Sequence, residues 1–371
     1  MYINAASAAI MSAFTYGVNM GRFRGETKPL KSIYQARYGT DSRLIRRLRL
    51  MIKSVLCLFA LHAAFTALTD QSNADSEHIE REWNATDHIP FEQFIVQSHR
   101  GAGVLALENT IEAFELGWSL GTVPEADLRT TKDGIIVAFH DANFARVVKN
   151  AGPELQKKGV IDVTFDELST LDVGSWKGEG FTGRRVSRMN DIFDLMRSRP
   201  KRRLYLDIKN VNLKQLAADV KSRQIGAQVI LASPNHKTIR EWKSLVPESD
   251  TLLWMGGDEA KLRAQFDQLR DAQFEGITQL QIHIHPNKDQ NSQDQKSREP
   301  FQVSRSFLTE VGWELRARKI LLQTLPYTSD PTFYGKLLDV GVASFATDHP
   351  EVAMREIKNY YEKRQSTLPS K

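Results

Sequence analysis

The sequence has a single cysteine, Cys57, among its 371 residues, and therefore cannot form an intrachain disulfide. The chain also has little net charge, because 50 basic and 45 acidic side chains leave a formal net charge of +5. Much of the basic excess lies in two N-terminal segments, GRFRGETKPLK and RLIRRLRLMIK, and the rest of the chain is close to neutral. A nearly neutral chain lacks an extended basic surface, so we predict no nucleic-acid partner.

The N-terminal region lacks a hydrophobic run of transmembrane length. Its apolar stretch from Val55 to Leu68 has about 14 residues, whereas a transmembrane helix needs about 20. A basic cluster precedes this stretch and small residues follow it, with 72–74 as a cleavage site, which is the order of a secretory signal peptide. We therefore predict an exported protein, periplasmic or extracellular. The alternative is an uncleaved membrane anchor, through which alone the chain would contact a membrane.

These features divide the chain into segments. Residues 1–50 form a basic extension, which is not translated if Met51 is the true start, and residues 51–74 form the signal peptide or anchor. Residues 75–90 are expected to be a linker, residues 91–360 a single folded domain and residues 361–371 a tail. With 41% hydrophobic residues, the chain can bury a sizeable core. The pattern gives no indication of an oligomeric state.

From residue 91 onward, apolar runs of strand length alternate with amphipathic helical segments. The eight strand candidates are QFIVQ, TVPEADL, RRLYLDI, AQVILAS, TLLWMG, ITQLQIHI, KILLQTL and VASFAT. A further run, IIVAF, is interpreted as an extra strand beside the second. Eight strands with intervening helices over this length predict an α/β fold, a (β/α)8 TIM barrel. A doubly wound open sheet is the alternative.

Two segments interrupt this alternation. Residues 147–187 are long and contain several glycines, and we expect a small, partly helical insertion after the second strand. Residues 285–300, HPNKDQNSQDQKSREP, form a polar segment after the sixth strand. In a barrel this segment would leave the C-terminal face, where active sites lie. It is either a gate or a solvated insertion.

Polar side chains cluster at the ends of the first predicted strands. They are His99 and Arg100, then Glu125 and Asp127, then His140, and then Asp207 and Lys209. The two acidic residues of the second strand are two positions apart, so their side chains project to the same face. A barrel brings the ends of neighbouring strands to one rim, so we expect these side chains to form one site.

The chemistry of this set points to a cation and an anionic substrate. Glu125, Asp127 and Asp207 would repel one another without a bound cation, and oxygen ligands without cysteine favour Mg²⁺ or Ca²⁺ over zinc. Arg100 and Lys209 supply positive charge, and the arginine fork suits a phosphate group. Two histidines can divide acid and base roles near neutral pH. Together these groups describe phosphodiester cleavage.

At these residues the chain resembles the glycerophosphodiester phosphodiesterases, a family with a TIM-barrel fold. The resemblance is carried by HRGAGVLALENTIEAF, PEADLRTTKDGIIVAFHD and YLDIK, with a fainter TDHPE near the end. The stretch GVIDVTFDELSTLDVGSW is also similar to the family, and the motifs occur in the family's order over roughly residues 91–355.

The resemblance implies a role for each site residue and a small-molecule glycerophosphodiester substrate. The acid–base pair is His99 and His140, the phosphate ligands are Arg100 and Lys209, and the metal ligands are Glu125, Asp127 and Asp207. In the family's chemistry a glycerol hydroxyl attacks the phosphate, and a cyclic intermediate leads to an alcohol and glycerol phosphate. We assign His99 as base and His140 as acid, with the reverse order as the alternative.

Two further residues are expected to bind substrate. Asn109 lies in the ENT motif, and Trp254, at the end of the fifth strand, is either a wall of the glycerol pocket or a core residue. His283 and His285 alternate along the sixth strand, where they would contact substrate or, as a rival interpretation, bind zinc.

The chain departs from the family pattern at several positions. Leu107 stands where proline is usual, Asp207 where glutamate is common, and LLQTLPY where a tryptophan-containing run is frequent. The shorter Asp207 puts the strength of metal binding in question. Two other functions therefore stay open. One is lysophospholipase D or sphingomyelinase D-like cleavage, which an apolar rim would favour, and the other is a noncatalytic phosphodiester-binding barrel.

Overall fold

The structure is a computed structural model that describes residues 84–149, 151–287 and 299–367. The expected N-terminal extension, the signal peptide or anchor, and the first part of the linker lie outside the described residues. Most of the polar segment 285–300 and the end of the expected tail also lie outside them. Within the described ranges, the helices are too short or too polar to cross a membrane.

Nine strands form one continuous sheet. They are β1 (Ile95–Ser98), β2 (Val123–Thr130), β3 (Ile136–Ala138), β4 (Leu204–Asn210), β5 (Val229–Ser233), β6 (Asp250–Met255), β7 (Gln279–Ile284), β8 (Leu321–Pro326) and β9 (Ser344–Thr347). All except β3 pair in parallel in the order β1-β9-β8-β7-β6-β5-β4-β2, and β1 also pairs with β2. This pairing closes the sheet, so the predicted TIM barrel is confirmed and the open sheet is wrong.

Helices follow the barrel strands, as a (β/α)8 fold requires. They are α1 (Ile111–Ser119), α2 (Pro153–Lys157), α3 (Phe165–Ser169), α4 (Met189–Met196), α5 (Leu213–Ser222), α6 (His236–Leu245), α7 (Glu259–Asp271), α8 (Arg305–Ala317), α9 (Pro331–Leu338) and α10 (Pro350–Thr367). Side-chain caps begin many of them, among them Thr110 before α1 and Asn235 before α6. Each cap accepts a hydrogen bond from a backbone N–H that lacks a partner within its helix.

Residues alternate between two environments along each barrel strand. On β4, Leu204 and Leu206 face outward into the main hydrophobic core beneath the helices, whereas Tyr205 belongs to a smaller cluster inside the barrel. This alternation follows from the pleat of a strand. As a result, every second side chain near the carboxyl end of a strand points into the barrel mouth.

Part of the barrel interior below the mouth is polar and hydrogen-bonded, beside the apolar cluster that contains Tyr205. The Tyr205 hydroxyl donates to Gln279 Oε1 at 2.6 Å, and Gln323 Nε2 donates to the Tyr205 oxygen at 3.2 Å and to Ser344 Oγ at 2.9 Å. Gln281 Nε2 donates to Gln323 Oε1, which extends the network upward. Buried polar groups are costly unless they are satisfied, so this network gives the site a fixed floor.

The insertion after the second strand forms a satellite unit on the outside of β2 and β3. The strand β3 pairs antiparallel with β2, and residues 147–187 carry α2 and α3 and are partly helical, as expected. Their apolar side chains pack with those of β3 in a separate cluster that includes Val137, Phe165 and Leu168. Lys177 donates from this insertion to the backbone oxygens of Val104 and Ala106 in the loop after β1.

Two segments at the edges of the barrel domain are ordered against it. In the described part of the expected linker, Ala85 is fully buried and the Ile89 carbonyl accepts from the Tyr361 hydroxyl at 2.8 Å. At the other end, α10 runs to Thr367 and therefore continues past residue 360.

Candidate active site

A cavity of about 270 Å³ opens at the carboxyl ends of the barrel strands. All eight barrel strands contribute to its wall, in agreement with the alternation described above. Seven predicted site residues line it, namely His99, Arg100, Glu125, His140, Asp207, Lys209 and Trp254. Small inward residues, Ala232 on β5 and Ala346 on β9, leave the space open.

The three predicted metal ligands converge beside this cavity. Each of Glu125, Asp127 and Asp207 offers a carboxylate oxygen, and the three oxygens lie within 4.8 Å of one another. One buried oxygen of each carboxylate, Oε1 or Oδ1, accepts no hydrogen bond. Three converging carboxylate oxygens fit a hard divalent cation such as Ca²⁺ or Mg²⁺.

Hydrogen bonds from the loop after β1 fix two of these carboxylates. The backbone N–H of Arg100 donates to Glu125 Oε2 at 2.7 Å. Asn109 Nδ2 donates to Asp127 Oδ2 at 2.9 Å, and Asn109 Oδ1 accepts from the Asp127 backbone N–H at 3.0 Å. Arg100 and Asn109 both have positive φ, 53° and 57°, a conformation that non-glycine residues adopt at an energetic cost. The loop is therefore strained in order to hold the carboxylates.

This geometry revises the expectation for Asn109. We expected it to contact substrate, but its side chain is buried behind Asp127 and does not line the central cavity. Because both polar atoms of its amide bond to Asp127, Asn109 positions a carboxylate. The ENT motif marked the residue, but a motif alone does not distinguish a residue that contacts substrate from one that supports it.

The carboxylates differ in how readily they ionise. Burial and the neighbouring Asp127 charge raise the pKa of Glu125 to about 8. Burial also raises the pKa of Asp207, against the attraction of Lys209. Burial opposes ionisation of Asp127 as well, but Lys209 and the two histidines prevail and lower its pKa. Ionisation of all three carboxylates at once is therefore unfavourable without a further cation, which is a condition that favours binding one.

His99 is held by a carboxylate from the far end of the domain. Its Nδ1–H donates to Asp348 Oδ1 at 2.7 Å. Burial opposes protonation of His99, but the Asp348 carboxylate prevails and raises the imidazole pKa. The pairing leaves Nε2 of His99, which lines the cavity, available for proton transfer.

Asp348 is the functional residue that the sequence reasoning missed. Thr347 and Asp348, in the TDHPE motif, suggest a helix cap, but Asp348 lies one position beyond β9 and lines the cavity. Gly103 brings the β1 loop against it, since a Cβ at this position would lie 2.1 Å from the Asp348 carbonyl oxygen. With φ of +60° as well, position 103 requires glycine.

His140 has an equivalent carboxylate partner. Its Nδ1–H donates to Asp141 Oδ1 at 2.7 Å. Arg146 Nε donates to Asp141 Oδ2 at 2.6 Å, and Arg146 Nη1 donates to Glu108 Oε2 at 3.2 Å. Glu108 Oε2 also accepts from Arg100 Nη1 at 3.0 Å. A continuous chain of ion pairs therefore links His140 to Arg100.

The two predicted phosphate-binding cations lie beside the carboxylates and line the cavity with them. Lys209 Nζ is 2.6 Å from Asp207 Oδ2 and 3.2 Å from Asp127 Oδ1. Arg100 Nε is 3.7 Å from Asp127 Oδ2. Burial opposes the charge of both side chains, but these carboxylates prevail and raise the pKa of each. Both are positioned to meet an anionic group in the cavity.

Aromatic side chains and imidazoles form the opposite wall. The rings of Trp254 and His283 stack at 5.2 Å, and Tyr327 stacks on His285 at 4.2 Å. The Tyr327 hydroxyl lies 3.1 Å from His283 Nδ1. Burial lowers the pKa of His283 to about 4, with smaller contributions from His285 and His99. His283 and Trp254 both line the cavity, so the wall opposite the carboxylates is uncharged at neutral pH.

The rival zinc interpretation for His283 and His285 receives no support from the geometry. In the described parts of the chain, the residues whose ligand atoms can share one ion are the three carboxylates. His285 is exposed and stacks on Tyr327.

Comparison with known sequences identifies a family. The model of the Glycerophosphoryl diester phosphodiesterase family matches residues 99–352. A glycerophosphodiester phosphodiesterase from Caldanaerobacter subterraneus subsp. tengcongensis is 31% identical over 165 residues, which are 41% of this chain and 63% of that protein. The chain therefore spans less than two thirds of that relative's length.

Solved structures show the same fold. A phosphodiesterase from Oleispira antarctica, in complex with the product sn-glycerol-3-phosphate, superposes with a TM-score of 0.51 at 20% identity, over 71% of this chain and 97% of that one. A glycerophosphodiester phosphodiesterase from Agrobacterium tumefaciens gives a TM-score of 0.52 at 20% identity, over 71% and 99% of the two chains. At this identity the likeness supports the barrel fold.

The carboxylate cluster generates a prediction about metal binding. We expect Glu125→Gln to weaken binding of Ca²⁺ or Mg²⁺ by roughly tenfold or more, because it removes a charged oxygen ligand. Isothermal titration calorimetry of the metal-free protein measures the change. Glu112→Gln is the matched control, since Glu112 is exposed on α1 and pairs with Arg184. Equal affinity of Glu125→Gln and the wild type would remove Glu125 from the ion-binding set.

The His99–Asp348 pair generates a prediction about titration. In the metal-free protein, Asp348→Asn should lower the pKa of His99, because a neutral amide does not stabilise the imidazolium ion. NMR titration of the histidine ring signals across the neutral pH range measures this pKa. Asp330→Asn, at the cap of α9, serves as the control. If the His99 pKa is the same in Asp348→Asn and wild type, the carboxylate does not hold the imidazole proton.

Proposed function

Because the chain belongs to the glycerophosphoryl diester phosphodiesterase family, we propose that it is a metal-dependent hydrolase of glycerophosphodiesters, releasing an alcohol and sn-glycerol 3-phosphate. One observation carries the proposal. Two histidines, each held at Nδ1 by a carboxylate, line one cavity, and three carboxylates converge beside it. This is a set of acid, base and cation ligands of the kind that phosphodiester cleavage uses.

The substrate phosphate is proposed to bind between Arg100 and Lys209, both of which line the cavity. Ca²⁺ or Mg²⁺ held by Glu125, Asp127 and Asp207 would polarise the phosphoryl oxygens and lower the pKa of a bound hydroxyl. The uncharged wall with Trp254 and His283 suits the carbon backbone of glycerol, which carries no charge.

The histidines are proposed to move the protons. His99 Nε2 removes the proton from the glycerol hydroxyl, whose oxygen attacks phosphorus, while the bond from phosphorus to the leaving oxygen breaks and His140 Nε2 protonates that oxygen. Water then opens the cyclic phosphate with the two roles exchanged. Asp348 and Asp141 act by fixing Nδ1–H of each ring, which leaves Nε2 for proton transfer.

Cleavage of a lysophospholipid is the second candidate. It is favoured by apolar side chains near the mouth, since Val104 and Leu105 in the loop after β1 are 52% and 42% exposed. Such a rim would give an acyl chain a surface on which to lie. A hydrolysis assay that compares a lysophospholipid with glycerophosphodiesters decides between the two candidates, because the better substrate identifies the function.

We also keep export as a proposal that rests on the N-terminal sequence pattern. N-terminal sequencing of the protein recovered from fractionated cells checks it. A mature chain that begins near residue 75 and occurs outside the cytoplasm is expected, whereas a retained residue 51–74 segment in the membrane fraction would indicate the anchor.

The acid–base assignment predicts the effect of two substitutions. His99→Asn and His140→Asn should each lower kcat by about 100-fold or more, because each removes a proton-transfer group. Coupled detection of glycerol 3-phosphate measures turnover of glycerophosphocholine and glycerophosphoethanolamine with Ca²⁺, Mg²⁺ or a chelator. His236→Asn, on α6, is the control. A wild-type rate in either variant would show that the substituted histidine is not an acid or base of the reaction. If the folded wild-type protein hydrolyses none of the diesters, with or without added metal, the noncatalytic barrel is favoured.

A further inference from the structure

Besides the central cavity, the structure has a groove that begins at His140. Its volume is about 460 Å³, and its lining consists of Arg129, His140, Asp141, Ala142, Asn143 and Lys209. His140 and Lys209 line both spaces, so the groove continues the cavity past the imidazole. Ala142 and Asn143 are exposed, and this side of the site is open to solvent. A substrate in the cavity can therefore extend along the groove beyond its phosphate.

Arg129 is the cation of this groove that makes no direct ion pair with the described residues, although Asp127, Asp141 and Asp207 are near enough to interact with its charge. Its guanidinium donates twice to the His140 carbonyl oxygen, from Nε at 3.1 Å and from Nη2 at 2.9 Å. These bonds fix the group without an ion pair, and no carboxylate of the described residues lies within salt-bridge distance of it. The residue sits on β2, two positions beyond Asp127.

The other charged side chains of the groove are already paired. Asp141 accepts from His140 and from Arg146, and Lys209 contacts Asp207 and Asp127. The groove therefore presents one fixed guanidinium, which has hydrogen-bond donors and no acceptor. An oxygen acceptor gains more from such a group when it carries negative charge, and a positively charged group is repelled.

We propose that this groove binds the leaving alcohol, and that Arg129 selects alcohols bearing a carboxylate over those bearing only an ammonium group. This inference rests on the function proposed above. The glycerol phosphate is common to all substrates and fits the enclosed cavity beside the carboxylates. The variable alcohol needs open space, and the groove provides it.

The placement also orders the acid–base pair. His140 stands between the cavity and the groove, at the junction where the bond from phosphorus to the leaving oxygen breaks. The proton on His140 Nε2 passes to that oxygen, and the alcohol departs along the groove. His99, on the opposite side beside Asp348, takes the proton of the attacking hydroxyl.

The aromatic wall is a competing location for the leaving alcohol, and it predicts the opposite selectivity. Ring faces attract ammonium groups. However, His283 already stacks on one face of Trp254, and His285 on one face of Tyr327. The wall also lacks His140, the histidine at the groove. The contacts thus favour the groove.

Two substrates that differ by a single carboxylate test the inference. These are sn-glycero-3-phosphoserine and sn-glycero-3-phosphoethanolamine, which release the same glycerol 3-phosphate and can be compared in one coupled assay. We expect the wild type to prefer the serine diester in kcat/KM by roughly tenfold, the value of one charge-assisted hydrogen bond. Arg129→Gln should abolish most of this preference, and Arg129→Lys should retain part of it.

The control is Arg240→Gln, which makes the same change in charge on α6, where Arg240 pairs with Glu275 at the surface. It should keep the wild-type preference. If Arg129→Gln lowers turnover of both diesters equally, Arg129 only positions the His140 carbonyl, and the inference is wrong. If the wild type prefers the ethanolamine diester, the aromatic wall holds the alcohol instead. If Arg129→Gln hydrolyses both diesters with the wild-type preference, this inference alone is wrong. If the wild type hydrolyses neither diester, the proposed function is wrong as well.

Discussion

The mutual repulsion of three buried carboxylates is the constraint around which the site is arranged. Glu125 and Asp127 are almost fully buried, and Asp207 approaches them within the range of a shared ion. Buried like charges are costly unless donors or cations compensate them. Three groups supply that compensation, namely the Arg100 backbone N–H in the strained loop after β1, the side-chain amide of Asn109 and the ammonium group of Lys209. The repulsion that remains is the physical reason for proposing a divalent cation at this site.

The same principle extends outward from the carboxylates. Each histidine is oriented by a carboxylate, and Arg146 in turn holds Asp141, the partner of His140. The Arg146 guanidinium carbon lies 4.7 Å from the ring centre of Trp176, a residue of the insertion. Through Glu108 this chain of charges reaches Arg100. The proposed proton transfer and anion binding would thus depend on one network, in which the contributions of single residues are not independent. The insertion therefore supports the site through the contact of Trp176 with Arg146.

Much of the fold and most of the site could be predicted from the sequence because both follow from short-range periodicity. Strand-length runs and residues two apart specify which side chains face the barrel mouth. Asp207 lies directly opposite Asp127 on the adjacent strand, and one of its carboxylate oxygens lies within 4.8 Å of those of Glu125 and Asp127. The role of Asp348 could not be predicted, because it depends on contact between residues 249 positions apart. The roles of Asn109 and Arg146 likewise depend on side-chain directions that spacing does not encode.

The pair of His99 and Asp348 lies across the seam at which the barrel closes. There β1 lies beside β9, the His99 N–H donates to the Thr347 carbonyl, and the Val104 N–H donates to the Asp348 carbonyl. The proposed base and its carboxylate partner directly follow the first and the last strand of the barrel. During biosynthesis, a growing chain holds the imidazole from an early stage but gains its partner only after β9 has emerged. Closure of the barrel and formation of the His99–Asp348 pair are consequently a single event.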